Sequence, residues 1–478
     1  MRYYVWTVGC QMNEADSERI VRALQDRGLE QAGSAEHADV IVLNTCSVRQ
    51  AAEEKALGKV GSLRPLKAAR PDLIVAFGGC MVADDTVTSL RRRLPYVDVF
   101  FPPSEPRDLL DLVDQRLADR DLGVAENLSS DGCLAPTVFA SEGDLLNPQR
   151  AFPVARWLPI MTGCNRRCTY CIVPFRRGRE VSRPIAELVA ETRRLVQSEG
   201  AREVTLLGQI VDRYGRDLLP DRPDLGDLLR SLSQIEGLER IRFLTSHPRD
   251  FTDRVLEAVA TLPKVCEHIN IPVQAGDDTI LKAMWRGYTV EVYRRIVAKI
   301  RERLPGCSIA TDIIVGFPGE TEEHFQHTLD LLAELRFDVV HVAMFSPRPG
   351  TPAGDQMADL LTPEEKKERL YRVERLQEQV GLERNQRLLG TTEEILVEDQ
   401  DRGKWKGRTR TNKLVFFEDS RHWLGRLAQV RIDHAGPWSL QGTVVGGEEP
   451  APGIRAFQPL RVVSAPAATR QLSGRDLR

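Results

Sequence analysis

The first hundred residues alternate short apolar runs with segments of helical periodicity. The apolar runs are YYVWTVGC, DVIVLNTC, LIVAFGGC and VDVFF, and amphipathic segments such as the one through Ile20, Val21 and Leu24 lie between them. Short apolar runs separated by helices are typical of a parallel, doubly wound sheet. We therefore predict an α/β domain over residues 1–118.

A stretch without periodicity, residues 119–152, is predicted to be a linker. Beyond it the alternation resumes and predicts an α/β domain over residues 153–388 that ends in a helix near 363–388. Its six strand-like runs are LPIMTGC, EVTLLGQ, RIRFLTS, HINIPVQ, ATDIIVGFPG and VVHVAMFSP. Six βα units in series predict an open, partial (β/α)6 barrel whose functional end is the carboxyl end of its strands.

The last part of the chain changes to short β-type runs. EEILVED, KLVFFED, LAQVRID and LQGTVVG predict a small all-β domain over residues 389–464, which we expect to be a five-stranded barrel. Residues 465–478 are expected to form a disordered tail.

The composition is that of a soluble globular protein, with 42% hydrophobic and 28% charged residues. The net charge of −3 gives no overall basic field, so a nucleic acid would have to bind a local patch. MRYYVWTVGC does not resemble a signal peptide, and no apolar run approaches the roughly 20 residues that span a bilayer. We therefore expect a cytoplasmic protein without a membrane partner, in which nine cysteines serve as thiols or metal ligands.

Three cysteines of the first domain, Cys10, Cys46 and Cys80, each end an apolar run. In a parallel sheet these strand ends lie along one edge, so cysteines far apart in sequence can meet at one metal centre. The alternative is three buried thiols that pack as small hydrophobic side chains.

A second set, Cys164, Cys168 and Cys171, has the spacing C-x3-C-x2-C within TGCNRRCTYCIVP. So tight a loop can hold three thiolates on one face of an iron-sulfur cluster and leave one iron without a protein ligand. The alternative is structural zinc completed by a remote histidine, although zinc ligands usually come in C-x2-4-C pairs. Cys133, Cys266 and Cys307 are interpreted as ordinary thiols.

Taken together, these motifs resemble the radical S-adenosylmethionine (SAM) methylthiotransferases. The matching segments include TVGCQMN, NTCSVRQAAEEKALGKVG, GGCM, GCNRRCTYCIVPFRRGREVSRP, LLGQ, INIPVQAG, RGYT, TDIIVGFPGET and SPRPGTPA, in this order over about the first 355 residues. GRTRTNKLVFF and WSLQGTVV resemble the TRAM domain of the branch that modifies tRNA, and within it the tRNA 2-methylthio-N6-dimethylallyladenosine synthases. Ile210 and Trp285 depart from the asparagines of that family.

The resemblance implies an enzyme with two 4Fe-4S clusters, one on each cysteine triad, with these six cysteines as its catalytic ligands. SAM would complete the cluster on Cys164, Cys168 and Cys171 and serve as radical source and methyl donor. The substrate would be the isopentenyl-modified adenosine 3′ of the anticodon in the tRNA anticodon stem-loop, thiolated at carbon 2. The resemblance also implies an electron donor such as flavodoxin or ferredoxin and a sulfur source; we expect a monomer.

Residues at the predicted strand ends are candidates for binding SAM. Glycines there allow close approach to a ligand, and polar side chains could bind its amine or ribose hydroxyls. The candidates are Tyr170, Gly208, Gln209, Gln274, Asp312 and Gly316.

Nine lysines and arginines against two acids lie between Arg402 and Arg431. Cations can neutralise phosphates, and we expect the interleaved Trp405, Phe416, Phe417 and Trp423 to offer exposed rings for stacking on bases. The alternative is a solvated face over a β core in which Phe416 or Phe417 is buried. The RNA-binding candidates are Lys404, Lys406, Arg408, Arg410 and Lys413, and Arg176, Arg177 and Arg179 form a possible second contact.

Other functions remain open at this point. A methylthiotransferase could instead act on threonylcarbamoyl-adenosine in tRNA or on a ribosomal-protein aspartate. From another class, the chain could be an iron-sulfur electron carrier or an RNA-binding protein without catalysis. Cleavage of SAM on reduction would exclude both of these.

Overall fold

The computed structural model describes residues 1–48, 50–123 and 154–449. Cys133, most of the expected linker and the expected tail lie outside these residues. Residues Met1–Gly447 form one compact unit, within which the α/β layer, the partial barrel and the small β-barrel pack against one another.

The first layer is a five-stranded parallel sheet in the order β2-β1-β3-β4-β5, as the apolar runs predicted. Its strands are β1 (Arg2–Thr7), β2 (Glu30–Gln31), β3 (Val40–Thr45), β4 (Ile74–Gly79) and β5 (Val99–Phe101). The helices are α1 (Gln11–Gln25), α2 (Gln50–Ser62), α3 (Arg64–Ala69), α4 (Val87–Arg93) and α5 (Arg107–Gly123). β3 and β4 are buried along their whole length because apolar clusters cover both sheet faces. Helix α5 continues past residue 118, so the chain is still helical where we predicted the linker to begin.

The central domain is an open half-barrel of six parallel strands. The chain runs through β6 (Ala155–Pro159), a short antiparallel ribbon of β7 (Met161–Thr162) and β8 (Val181–Ser182), then β9 (Glu203–Leu207), β10 (Arg240–Phe243), β11 (His268–Asn270), β12 (Ser308–Val315) and β13 (Val339–Met344). The strands form two sheets, β6-β9-β10 and β11-β12-β13, and an isolated bridge pairs Ile241 of β10 with Val265, three residues before β11. The predicted partial (β/α)6 barrel is confirmed.

Helices alternate with the strands of the central domain, and α1 of the first layer packs against its edge strand β6. The helices are α6 (Val173–Arg177), α7 (Ile185–Glu199), α8 (Leu225–Ser233), α9 (Asp253–Thr261), α10 (Asp278–Ala283), α11 (Val290–Arg303), α12 (Glu322–Leu335), α13 (Pro352–Gln356) and α14 (Pro363–Gln386). The predicted helix near 363–388 is α14, which begins after a capping box between Thr362 and Glu365. No helix within the described residues is long and apolar enough to cross a membrane.

The last domain is a closed five-stranded barrel, which confirms the prediction from the β-type runs. Its strands are β14 (Thr392–Asp401), β15 (Lys404–Thr409), β16 (Leu414–Phe417), β17 (Leu427–Ala435) and β18 (Leu440–Gly447), joined in the order β14-β15-β16-β18-β17. Trp405, Phe417 and Trp423 form part of its core and are at most 7% exposed. The expectation that these three rings stack on RNA bases was therefore wrong, because the barrel needs them to fill its interior.

Candidate active site: two cysteine triads

The first triad lies on three neighbouring strands of the parallel sheet. Cys10, Cys46 and Cys80 are close to the carboxyl ends of β1, β3 and β4, so the fold brings their loops to one edge. The loops are in contact: a Cβ on Gly9, at φ +142°, would lie 2.6 Å from the Cβ of Cys46. Cys10 is exposed, whereas Cys46 and Cys80 are buried.

Two buried asparagines fix these loops, and sequence reasoning gave them no role. Asn13 Nδ2 donates to the Thr45 carbonyl at 2.8 Å, and Asn44 Nδ2 donates to the Asn13 carbonyl at 2.8 Å. The Cys10 thiol donates to Asn13 Oδ1 at 3.3 Å. Asn13 lies in the motif TVGCQMN and Asn44 in the motif NTC, and this proximity to the cysteines was the only sequence feature that could have pointed to their role.

The second triad lies in one loop between β7 and α6. Gly163 has φ +77°, and a Cβ there would lie 1.9 Å from the Arg179 carbonyl oxygen, so the returning chain leaves room only for glycine. The Cys164 amide donates to the Gly178 carbonyl at 3.0 Å, and the Cys171 amide to the Cys168 carbonyl at 3.0 Å. The loop thus closes on itself and gathers its three cysteines. Over the described ranges, no three His, Cys, Asp or Glu side chains are arranged to hold a single metal ion.

The thiols of this loop are in a low-dielectric environment. Burial raises the pKa of Cys164 to about 11 and that of Cys171 to about 12, and the charge of Cys168 acts in the same direction on both. These thiols therefore stay protonated at neutral pH unless a cationic centre binds them and releases their protons.

A buried arginine supplies positive charge to this loop. Arg286 is 6% exposed, and its Nη1 donates to Cys168 Sγ at 3.4 Å and lies 3.5 Å from the Tyr170 hydroxyl. Its Nη2 donates to the Pro272 carbonyl and its Nε to the Tyr288 hydroxyl, and no carboxylate among the described residues forms an ion pair with it. A buried cation without an anion is costly, and an anionic cluster at Cys168 would provide the missing charge. Arg286 lies in RGYT, but the motif alone did not show this contact.

Four candidate SAM-binding residues, Gly208, Gln209, Gln274 and Gly316, follow the carboxyl ends of β9, β11 and β12, whereas Asp312 lies within β12 and Tyr170 within the cysteine loop. Gln209 follows β9, and its Oε1 is buried without a hydrogen-bond partner in the described structure, so it is available to a ligand donor. The Gln274 backbone amide donates to the Asp312 carbonyl at 2.9 Å, which joins the loop after β11 to the middle of β12. Tyr170 packs edge-on against Phe317, with ring centroids 6.4 Å apart.

The two glycine candidates are explained by packing within the protein. A Cβ on Gly208 would lie 2.7 Å from Met161 Cγ. A Cβ on Gly316 would lie 2.4 Å from Lys366 Cγ, and the Gly316 amide donates to Glu320. A side chain at either position would therefore force Met161 or Lys366 to shift.

Several polar side chains next to the second triad were not identified by the sequence reasoning. Arg166, within C-x3-C-x2-C, donates from Nε to Asp250 at 3.2 Å. Burial raises the pKa of Asp212 to about 7, and burial together with Arg286 lowers the pKa of His247 to about 3. Asp212 accepts a hydrogen bond from the His247 amide at 2.7 Å and so anchors the loop after β10.

The five cations proposed for RNA fall into two groups. Lys404, Lys406 and Arg408 lie on the outer face of β15, each near one acid of the same small barrel. Arg410 and Lys413 instead bind the half-barrel, where Arg410 pairs with Glu267 at 2.7 Å and Lys413 pairs with buried Asp338 at 3.0 Å.

These contacts place the small barrel at the amino-terminal ends of the half-barrel strands. Arg240 and Arg242 of β10 donate to the carbonyls of Arg408 and Thr409, each at 2.7 Å. The second cysteine triad follows β7 and lies at the opposite, carboxyl end of the half-barrel strands.

Two of the three arginines expected to form a second RNA contact are instead paired with carboxylates of the first domain. Arg177 is 4% exposed and pairs with Asp16, so it cannot contact RNA, and Arg176 pairs with Asp85. Arg179 is exposed, as is Trp285, which is 60% exposed next to the cysteine loop.

Three protein-family models match successive parts of this chain. Uncharacterized protein family UPF0004 matches residues 2–102, the Radical SAM superfamily matches residues 158–332 and the TRAM domain matches residues 386–445. Among solved structures, a radical S-adenosylmethionine methyltransferase from Kitasatospora setae, bound to tryptophan and a SAM analogue, aligns with TM-score 0.51. It covers 74% of this chain and 75% of that chain at 17% identity, which shows a shared fold.

Curated relatives match nearly the whole chain. The tRNA-2-methylthio-N(6)-dimethylallyladenosine synthase of Roseiflexus sp. (strain RS-1) is 52% identical over 94% of this chain and 90% of its own length. Synthases of the same name from Herpetosiphon aurantiacus and Chloroflexus aurantiacus are 46% and 49% identical, over 93% and 92% of this chain and 98% and 91% of their own lengths. The chain therefore belongs to the family of tRNA-2-methylthio-N(6)-dimethylallyladenosine synthases, which are radical SAM enzymes.

Proposed function

We propose that this chain methylthiolates carbon 2 of the isopentenyl-modified adenosine 3′ of the anticodon in tRNA, with SAM as radical source and methyl donor. The observation that carries the proposal is the presence of two cysteine triads, each gathered at the carboxyl ends of strands within one compact unit. The names of the full-length relatives favour this substrate over threonylcarbamoyl-adenosine or a ribosomal-protein aspartate.

Each triad would hold one 4Fe-4S cluster, with one iron free of protein ligands. When bound, the cluster on Cys164, Cys168 and Cys171 supplies the electron that cleaves SAM, and the cluster on Cys10, Cys46 and Cys80 supplies the site for sulfur. The residues fit an anionic group, since Arg286 places an unbalanced cation at Cys168 and the Arg166 amide donates to Cys164 Sγ at 3.4 Å.

The remaining candidates would bind SAM beside this loop. Gln209 would accept a hydrogen bond from the methionyl amine or a ribose hydroxyl, because its buried Oε1 has no protein donor in the described structure. Gln274, Asp312 and Tyr170 would add polar contacts to SAM, and Gly208 and Gly316 would let the backbone approach it.

The small barrel would hold the body of the tRNA. Lys404, Lys406 and Arg408 are the cations of the original five that remain on its outer face, and lysines and arginines bind phosphates without regard to sequence. We assign 1–118 to the auxiliary cluster, 153–388 to the radical SAM core and 389–464 to the tRNA handle.

The reaction also needs components that this chain does not carry. We propose flavodoxin or ferredoxin as electron donor and an external sulfur source, because cleaving SAM consumes an electron and the product gains a sulfur atom. Both triads and the tRNA handle lie on one chain, which supports action as a monomer, and tRNA as substrate supports a cytoplasmic location.

The test is anaerobic reconstitution followed by mass spectrometry of digested tRNA. Three tRNA preparations should be compared: one carrying the isopentenyl group, one unmodified and one carrying threonylcarbamoyl-adenosine. We expect a methylthio product only from the first. Product from the third preparation alone would replace this proposal with the alternative substrate.

A further inference from the structure

Trp285 lies just after α10, where the backbone turns through the left-handed conformation. Its φ is +54°, its amide donates to the Lys282 carbonyl at 3.0 Å, and the Arg286 amide donates to the Leu281 carbonyl at 3.0 Å. In this helix-ending motif the left-handed residue is usually glycine or asparagine, because a larger side chain crowds the backbone there. Burial does not offset this cost, since Trp285 is 60% exposed. Packing within the described residues therefore gives no reason for an aromatic ring at this position.

The turn that carries Trp285 is attached to the loop of the second triad. Thr169, the residue after Cys168, donates its amide to the Met284 carbonyl at 3.2 Å and its hydroxyl to the Ala283 carbonyl at 2.9 Å. Both carbonyls immediately precede the tryptophan. The exposed ring is therefore held at the edge of the cysteine loop.

Two exposed arginines lie on segments that contact the same loop. Arg167 belongs to the loop itself, and Arg249 lies in a segment that Arg166 ties to the loop through its hydrogen bond to Asp250. The Arg249 guanidinium also lies against the turn after the tryptophan, because a Cβ on Gly287 would be 2.9 Å from its Nη1. Within the described residues, the side chains of Arg167 and Arg249 form no ion pair and no hydrogen bond. Their charges are therefore available to an anionic partner.

Two kinds of anionic partner could be attracted to these arginines. An acidic electron-transfer protein would bind them mainly through charge, whereas an RNA loop also offers the faces of its unpaired bases to an exposed ring. The cations on the outer face of β15 each lie near an acid, but Arg167 and Arg249 accompany an exposed indole instead. The combination of an indole with uncompensated arginines favours RNA.

We propose that Trp285, Arg167 and Arg249 form a binding site for the unpaired anticodon loop of the tRNA. The indole stacks on a loop base near the target adenosine, and the two guanidiniums bind neighbouring phosphates. Stacking suits any base because every base has a π face, and arginines neutralise the backbone without regard to sequence. The inference rests on the proposed function, because it requires the anticodon loop to enter beside the second triad.

The test is a double-mutant cycle between the ring and the bases of the RNA. Full-length protein is reconstituted anaerobically, and its affinity for an isopentenylated anticodon stem-loop is measured by fluorescence anisotropy. A series of stem-loops replaces one loop base at a time by an abasic residue. The proteins compared are the parent, Trp285→Gly, Trp285→Phe and, as the matched control, Tyr371→Ala, which removes an exposed ring from α14. Glycine suits the left-handed turn, so Trp285→Gly removes the ring without straining the backbone.

Coupling between the ring and one base is the expected signature. Trp285→Gly should weaken binding of the intact stem-loop about tenfold. At one loop position the abasic change should weaken binding to the parent about tenfold and should leave binding to Trp285→Gly unchanged, because the stacking partner is already absent. Trp285→Phe should retain the dependence on that base, and Tyr371→Ala should behave like the parent. Absence of coupling at every loop position would overturn the inference, and the same criterion applies to Trp285→Ala should Trp285→Gly fail to fold.

The arginines are tested through salt. Arg167→Gln and Arg249→Gln should each lower the slope of log affinity against log salt by about 0.7, the value for one phosphate contact to a single strand. Arg295→Gln, at an exposed site on α11, should leave the slope unchanged. An unchanged slope in both variants would overturn the inference. If the same variants also slowed reduction of the protein by flavodoxin, this surface would be the docking site of an acidic electron donor instead.

Failure of the proposed function gives a different result. A parent protein that forms no methylthio nucleoside from isopentenylated tRNA contradicts the proposed function, and the inference fails with it. A parent protein that forms this product but shows no coupling between Trp285 and a loop base contradicts the inference alone.

Discussion

Removing the positive charges from the outer face of β15 should weaken tRNA binding and should reduce the dependence of the affinity on salt concentration. The perturbation is the triple variant Lys404→Gln, Lys406→Gln and Arg408→Gln, whose cations are 42%, 27% and 40% exposed. Each cation that neutralises a phosphate adds about 0.9 to the slope of log affinity against log salt. Three contacts therefore account for a slope of about 2.7, so between 50 and 200 mM salt the parent should lose about 40-fold more affinity than the variant.

The assay is fluorescence anisotropy of labelled tRNA at several salt concentrations. A matched control removes three cations from the outer helix α11, by Arg295→Gln, Lys299→Gln and Arg303→Gln, with the same change in net charge. We expect the control to keep the parental slope. Release of deoxyadenosine without tRNA should be normal in both proteins, because the small barrel contacts the opposite end of the strands from the cysteine loop.

The result that would refute this reasoning is an unchanged slope in a folded triple variant. Equal loss of slope in variant and control would also refute it, because net charge rather than a defined surface would then control binding. In either case the tRNA would have to bind another face.

Three further predictions concern the iron content, the buried carboxylate of Asp338 and the exposed ring of Trp285. The reconstituted protein should bind about eight irons per chain, and Cys46→Ala and Cys164→Ala should each remove about four, measured by iron analysis; loss of all iron in either variant would contradict independent sites. Burial alone would raise the pKa of Asp338, but its two cationic partners, Lys413 and Arg384, hold this pKa below its ordinary value. The ionised carboxylate therefore stabilises the folded protein above the unfolded pKa of about 4, and this contribution is lost as the pH falls through the lower folded pKa. Asp338→Asn should therefore flatten the fall in melting temperature at acid pH, and parallel curves for parent and Asp338→Asn would contradict this. Trp285→Ala should raise the KM for tRNA about tenfold through loss of base stacking, with iron content unchanged; an unchanged KM would show that this ring does not contact RNA.

The periodicity of the chain was enough to predict much of the fold and the positions of the six cysteines. An apolar run that ends in cysteine predicts a strand with the cysteine near its carboxyl end. Short βα units make successive strands parallel, so these carboxyl ends lie at the same edge of the sheet. The C-x3-C-x2-C loop is local, so its geometry is also encoded locally.

The sequence pattern was less informative where charges pair across domains. Arg410 pairs with Glu267, which is 143 residues away in sequence, and Arg177 pairs with Asp16, which is 161 residues away. Nothing in local periodicity distinguishes such a cation from a solvated one. The burial of Trp405 was predictable, because the alternation that points Lys404 and Lys406 outward points Trp405 inward.

The central claim is that the two triads do different parts of one reaction, and one measurement tests it most directly. Parent, Cys46→Ala and Cys164→Ala proteins are reconstituted anaerobically with isopentenylated tRNA, and deoxyadenosine and methylthio nucleoside are quantified in the same samples. We predict both products from the parent, deoxyadenosine without methylthio nucleoside from Cys46→Ala, and neither from Cys164→Ala. Loss of deoxyadenosine in a folded Cys46→Ala protein that retains its other cluster would contradict the separate roles, and methylthio nucleoside from either variant would contradict the need for both triads.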